Sequence, residues 1–140
     1  MKTALALLLL AQLVAPKVMP PKMSAKFSTA APVQAGRKAD VTVAFNVLNG
    51  FKINRDPKIS LAIQPVTGVK LDKAKIEASP VDPKAKDEYF VTLPTLKVGV
   101  TAAKAGKYEL PGKLTYFYCS IADGFCAKES VDVKIPLHVD

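Results

Sequence analysis

The sequence has no tryptophan, one histidine and two cysteines, and its only arginines are Arg37 and Arg55. Each shortage removes a class of function. With His138 alone, no nucleophile, base and orienting group can be assembled, and there is no phosphate-binding loop or metal-ligand cluster. An ordinary catalytic enzyme is therefore the weakest reading, and no cofactor is expected. The scarcity of arginine and the lack of aromatics interleaved with basic residues leave no surface patterned to stack bases. The net charge of +8 hints at a polyanion until its placement is considered. Lys2, Lys17, Lys22 and Lys26 precede the first patterned segment, and the remaining chain mixes 16 basic with 12 acidic side chains. We expect no nucleic-acid partner.

Long apolar runs are also missing, apart from one at the start. Met1-Lys2 followed by an apolar stretch from Thr3 to Ala15 has the charged start and short hydrophobic region of a secretory signal peptide. The stretch is shorter than the roughly 20 apolar residues that cross a bilayer as a helix, and no later segment approaches that length. The expectation is an exported, periplasmic or otherwise extracytoplasmic protein with residues 1–15 as signal and no membrane span in the mature form. The alternative is an uncleaved interfacial anchor. Residues 16–36, rich in proline, lysine and small side chains, read as a leader or linker with little fixed structure.

After Gly36 the hydrophobic pattern acquires a period of two, the mark of a strand with one buried face. Val41, Val43, Phe45 and Val47 alternate with smaller or polar residues. Ile59, Leu61 and Ile63 do the same, then Leu96, Val98 and Val100. The clearest series is Val131, Val133, Ile135, Leu137 and Val139. Turn signals fall between them at Asn49-Gly50, Asp56-Pro57, Thr67-Gly68, Ser79-Pro80, Asp82-Pro83, Ala105-Gly106, Pro111-Gly112 and Asp123-Gly124, a spacing that predicts seven to nine short strands. No helical stripe is sustained. A single all-β domain over residues 37–140 follows, an immunoglobulin-like antiparallel β-sandwich in preference to a barrel. Pro136 suits an edge strand or a bulge.

The two cysteines, Cys119 and Cys126, are seven residues apart in a Tyr-Cys…Asp-Gly-Phe-Cys run, and in an oxidising compartment they are expected to pair. The bridge of an immunoglobulin domain joins two sheets across many tens of residues, whereas this spacing closes one hairpin loop. In the chain-entropy model so short a loop stabilises by only about 2.5 kcal/mol. Spacing alone leaves a stapled turn and a thiol-exchange centre evenly balanced. A third option, a soft metal held by two thiolates with Met19, Met23 or His138, is weaker because the methionines lie in the leader.

Three segments resemble the amino-terminal periplasmic domain of the thiol:disulfide interchange protein, the DsbD family of disulfide bond correctors. They are Gly50 to Arg55 with the strand Ile59 to Ile63; Asp87-Glu88-Tyr89-Phe90 ahead of a Leu-Pro element; and Tyr118-Cys119 through Gly124-Phe125-Cys126 into the final alternating strand. The resemblance spans roughly Val41 to Val139. It implies an immunoglobulin-like sandwich whose cysteine pair passes reducing equivalents to thioredoxin-like periplasmic proteins. Carried over by position, Cys126 forms the mixed disulfide and Cys119 resolves it. Asp87 and Glu88 match an acidic pair that keeps the reduced cysteines protonated by charge repulsion, and Tyr89 or Phe90 matches an aromatic cap over the bridge. The loop from Ser120 to Phe125 is one residue longer than in that family. That family's domain is fused to a membrane-embedded electron carrier and a thioredoxin-like domain, and neither is expected to accompany this one. A separate membrane or soluble reductase is then expected to serve this chain, acting as a monomer. The competing reading is an immunoglobulin-like secreted binding module whose disulfide is purely structural.

Overall fold

A computed structural model of the protein describes residues 19–79, 84 and 86–140. The proposed signal segment 1–15 and the Ser79-Pro80 and Asp82-Pro83 turns fall wholly or partly outside the described residues. Nine strands occur among those described: β1 (Met23–Thr29), β2 (Lys38–Val47), β3 (Phe51–Ile53), β4 (Ser60–Ile63), β5 (Val69–Leu71), β6 (Lys75–Glu77), β7 (Leu96–Ala102), β8 (Gly106–Ser120) and β9 (Cys126–Val139).

They form two antiparallel sheets. One has the order β1-β2-β7-β5; the other places β3, β4 and β9 against β8, with β6 outside β4. Strand β8 is the spine of the second sheet. Along one edge it pairs with β9 from Gly106↔Val139 to Cys119↔Cys126. The other edge is shared by β4, at Gly112 to Thr115, and β3, at Tyr118 to Ser120. Alternation along the strands sends Val41, Val43, Val98 and Val100 from one sheet, and Leu61, Leu110, Leu114, Tyr116 and Ile135 from the other, into a common core. This is the immunoglobulin-like sandwich that the period-two pattern predicts, and all four expected strands are present.

Two expectations are corrected. The stretch read as an unstructured leader contains β1, paired with β2 from Met23↔Val47 to Thr29↔Val41. Met23 is fully buried, and Val33 bridges Val139 and joins the core. Met23, Ala25 and Phe27 do alternate with polar residues, but the surrounding prolines and lysines mask the period, and burial of that apolar face outweighs composition. The second correction concerns Pro111-Gly112, which is not a turn but lies inside β8. A Cβ at Gly112 would make tight contacts of 3.2 Å with both the Ala62 carbonyl oxygen and Val133, so glycine suits this close approach of β4. The Pro111 carbonyl still accepts from the Gln64 N–H at 2.9 Å, so only the donor that proline lacks is lost. Pro136 sits in β9, which pairs with β8 alone among the strands, an edge position that tolerates proline and blocks strand addition.

One polar chain ties β1 to the second sheet. The Met23 N–H donates to the Tyr116 hydroxyl at 2.9 Å, and that hydroxyl donates to Glu129 Oε1 at 2.9 Å. The Lys22 N–H donates to the same carboxylate oxygen at 3.1 Å. Burial, reinforced by the neighbouring Glu129 carboxylate, raises the Tyr116 hydroxyl well above its ordinary pKa of 10.0. In the unfolded chain the phenol ionises near 10.0, while the folded protein retains the proton to higher pH. The unfolded state is therefore favoured as pH rises past that value. Denaturant unfolding followed between neutral pH and pH 11.5 is expected to show an alkaline loss of stability that is smaller in Tyr116→Phe. At neutral pH the same variant, with a buried donor left unpaired, is expected to lose about 1–3 kcal/mol. An unchanged alkaline slope in the variant would mean that Tyr116 is not the source.

Candidate site at the disulfide end

The hairpin that joins β8 to β9 carries the cysteines. Ser120 begins the loop by accepting the Asp123 N–H on its hydroxyl at 3.2 Å and contacting Asp123 Oδ2 at 3.2 Å. Its backbone N–H donates to the Phe125 carbonyl at 2.8 Å, and Gly124 turns the chain at φ 69°, a left-handed conformation that favours glycine. The loop thus returns Cys126 directly opposite Cys119, with Cα atoms 4.0 Å apart and the sulfurs bonded.

Cys119 and Cys126 differ in surroundings. Cys126 is exposed, whereas Cys119 is only 6% exposed. Alternation places Tyr116 and Tyr118 toward the core and Cys119 on the outward face of the sheet, so its cover comes from outside the core. Lys52 on β3 is its cross-strand partner, and Asn54 Oδ1 lies 3.4 Å from Cys119 Sγ. A disulfide sulfur holds no hydrogen, so in the oxidised protein this is a contact and not a hydrogen bond. Tyr89 bridges to Asn54 and joins Lys52, Cys119, Ser120 and Ile121 around a pocket of about 220 Å³. The Lys52 ammonium stands 5.3 Å from the Tyr89 ring centre, within cation–π range.

On the inner side of the same end, Tyr118 packs edge-on against Phe51 at 5.6 Å and against Phe125 at 6.2 Å. The Lys22 ammonium lies 5.5 Å from the Phe51 ring and 5.8 Å from the Tyr118 ring. A larger pocket of about 680 Å³, lined by residues including Phe27, Lys107 and His138, holds neither cysteine.

The residues singled out in the sequence are distributed as follows. The cysteines are bonded, and Tyr89 lies beside Cys119. Phe90 turns the other way: it is half-buried against the core, and its N–H donates to the Ile53 carbonyl at 2.9 Å. Asp87 and Glu88 are exposed and approach through their main chain, the Asp87 carbonyl accepting from Arg55 Nη1 at 2.9 Å and the Glu88 carbonyl from the Arg55 N–H at 3.0 Å. Sequence reasoning missed Lys52 and Asn54 as neighbours of Cys119. Their spacing of two does put them on one strand face, but the pairing of β3 with β8 that brings that face to Cys119 leaves no mark in the sequence. His138 is exposed near the opposite end of β9, facing Asp140 at 3.6 Å, and Met23 is in the core.

No family model matches the chain, and no curated protein does. Among solved structures, it is similar to a cohesin module from a Clostridium perfringens family 33 glycoside hydrolase. The likeness has 8% sequence identity and a TM-score of 0.42, and covers 86% of this chain and 100% of that one. The fold assignment rests on the strand pairing described above. The chain is an immunoglobulin-like sandwich with one disulfide at the end of a hairpin.

Since the bridge links strands already paired along their length, it adds little to the fold. Replacing both cysteines by alanine is expected to leave a folded domain with an unfolding free energy lower by no more than about 2.5 kcal/mol, as read from denaturant titration. Loss of the cooperative transition would show that the bridge is essential to folding.

Proposed function

We propose that this chain is an extracytoplasmic immunoglobulin-like module that docks another protein at the end carrying the Cys119–Cys126 bridge. The observation that supports this reading is where the exposed apolar side chains fall. The large ones among the described residues are Met19, Leu48, Val91, Ile121 and Phe125. Ile121 and Phe125 belong to the cysteine loop. Leu48 stands in the β2–β3 turn, which meets that loop where the Ile121 N–H donates to the Gly50 carbonyl at 2.9 Å. Val91 follows Phe90 alongside β3. Met19 precedes Lys22, whose ammonium rests against Phe51 and Tyr118. Single exposed apolar residues are ordinary, but Ile121 and Phe125 on the cysteine loop, with Leu48 in the turn that meets it, form a group that suits a contact surface.

A second reading is favoured by the unequal exposure of the two cysteines. An incoming thiolate meets the exposed Cys126 more readily than the largely covered Cys119. In-line attack on Cys126 expels Cys119 as thiolate and leaves a mixed disulfide between Cys126 and the partner. Those are the roles that the resemblance to the disulfide corrector domains implies, with thioredoxin-like proteins as partners, a separate reductase to renew the thiols, and Tyr89 or Phe90 as the cap over the bridge.

Equilibration of the bridge against glutathione separates the two readings. A potential in the range of exchange proteins, with a mixed disulfide trapped between reduced Cys126 of a Cys119→Ala variant and an oxidised thioredoxin-like protein, supports exchange. A potential below about −300 mV marks the bridge as structural and leaves the docking module alone. Docking itself is expected to depend on the loop: Ile121→Ser with Phe125→Ser should weaken binding to any identified partner at least tenfold by titration calorimetry. Unchanged affinity would place the contact surface elsewhere.

A further inference from the structure

Exchange requires a leaving sulfur as well as an accessible one, and the two cysteines differ in what surrounds them. Resting on the exchange reading, we propose that Lys52 is a positioning residue that makes Cys119 the leaving sulfur.

The register of β3 on β8 sets Lys52 directly across from Cys119, where cross-strand side chains on one face come within about 5 Å at Cβ. Asn54, two residues on, shares that face and reaches to 3.4 Å from Cys119 Sγ. Tyr89 holds both: its backbone bridges Asn54, and its ring carries the Lys52 ammonium at 5.3 Å. Lys52 and Cys119 line the same pocket beside Tyr89. When a partner thiolate bonds to Cys126 Sγ, the S–S bond breaks and its electron pair passes to Cys119 Sγ. No net oxidation occurs, since one disulfide replaces another. The negative charge appears in the pocket that the Lys52 side chain also lines, and a cation there favours it. Once Cys119 takes a proton, its thiol can donate to Asn54 Oδ1, so the same amide serves the resting thiol. Cys126, exposed on the edge strand, lacks this enclosure.

Other charges near Cys119 do not cancel this arrangement. Asp123 is engaged with Ser120, Arg55 donates to the Asp87 carbonyl, Asp87 and Glu88 are exposed, and Lys128 on β9, opposite Phe117, adds a second cation on the same face.

The test uses the oxidised full chain and reduced glutathione. After brief reaction, acid quenching, alkylation and peptide mass mapping, glutathione is expected on Cys126 and the alkyl group on Cys119. Lys52→Met should slow opening roughly threefold to tenfold, as expected for losing one nearby charge from a partly charged leaving group, and Lys52→Arg should restore it. Asn54→Asp, nearly isosteric, should slow it further by setting a carboxylate against the departing sulfur. In a Cys126→Ala background, thiolate absorbance against pH should show Cys119 titrating at higher pH when Lys52 is Met, a shift that a purely structural role would not produce. If glutathione does not open the wild-type bridge, the exchange reading fails. If it opens at the same rate in all variants, or glutathione is found on Cys119, the exchange reading stands and this inference is wrong.

Discussion

The pairing of β8 with β9 is the constraint on which the rest depends. Because β9 occupies one whole edge of β8, β3 and β4 must share the other, and β3 is left with only the stretch at Tyr118 to Ser120. That single allocation decides which side chains face Cys119. It also leaves β9 at the sheet edge, where Pro136 and exposed charged residues keep other strands from adding. The same ladder brings Glu129 opposite Tyr116, and so fixes the carboxylate that holds β1 to the second sheet.

The end of the sandwich that carries the bridge is built in two layers with different chemistry. Facing inward, Phe51, Tyr118 and Phe125 interlock edge to face under the Lys22 ammonium. Facing outward, Lys52, Asn54 and Tyr89 enclose Cys119. The hairpin crosses from one layer to the other within two residues, since Tyr118 and Cys119 point to opposite faces of β8. Phe125 and Cys126, both exposed, are neighbours in the chain at the end of the loop that Ser120 and Gly124 shape.

How much of this was legible depended on whether a feature is local. Strands with an unbroken period of two, at Val41 to Val47, Leu96 to Val100 and Val131 to Val139, were readable because each residue's face is set by its immediate neighbours. The cysteine hairpin was readable for the same reason. Strand β8, the longest, was not, because Pro111-Gly112 interrupts its pattern with a pair that ordinarily turns the chain. Here Gly112 admits the close approach of β4, a contact between residues about fifty positions apart. Strand β1 was hidden by prolines and lysines that flank a modest apolar face, and only pairing with β2 gives that face something to cover. At the candidate site the pairing of the cysteines was legible, while the approach of Lys52 and Asn54 to Cys119 was not. Asp87 and Glu88 belong to the neighbourhood, though through their carbonyls' hold on Arg55.

A bridge within one hairpin differs physically from a bridge between sheets. An inter-sheet disulfide restrains the two halves of a sandwich, and opening it releases them; this one closes a loop whose strands are already joined by a continuous ladder and backed by Leu110, Leu114, Tyr116 and Ile135. The folded state can thus be nearly the same whether the sulfurs are bonded or separate. A protein-docking surface benefits because its shape does not depend on the redox state. A thiol carrier requires as much, since it must present both forms to its partners without unfolding. The placement of the bridge on a sheet edge and outside the core satisfies that requirement for either role, and the difference between them then reduces to the chemistry at one sulfur: how readily Cys119 accepts the electron pair when Cys126 is attacked.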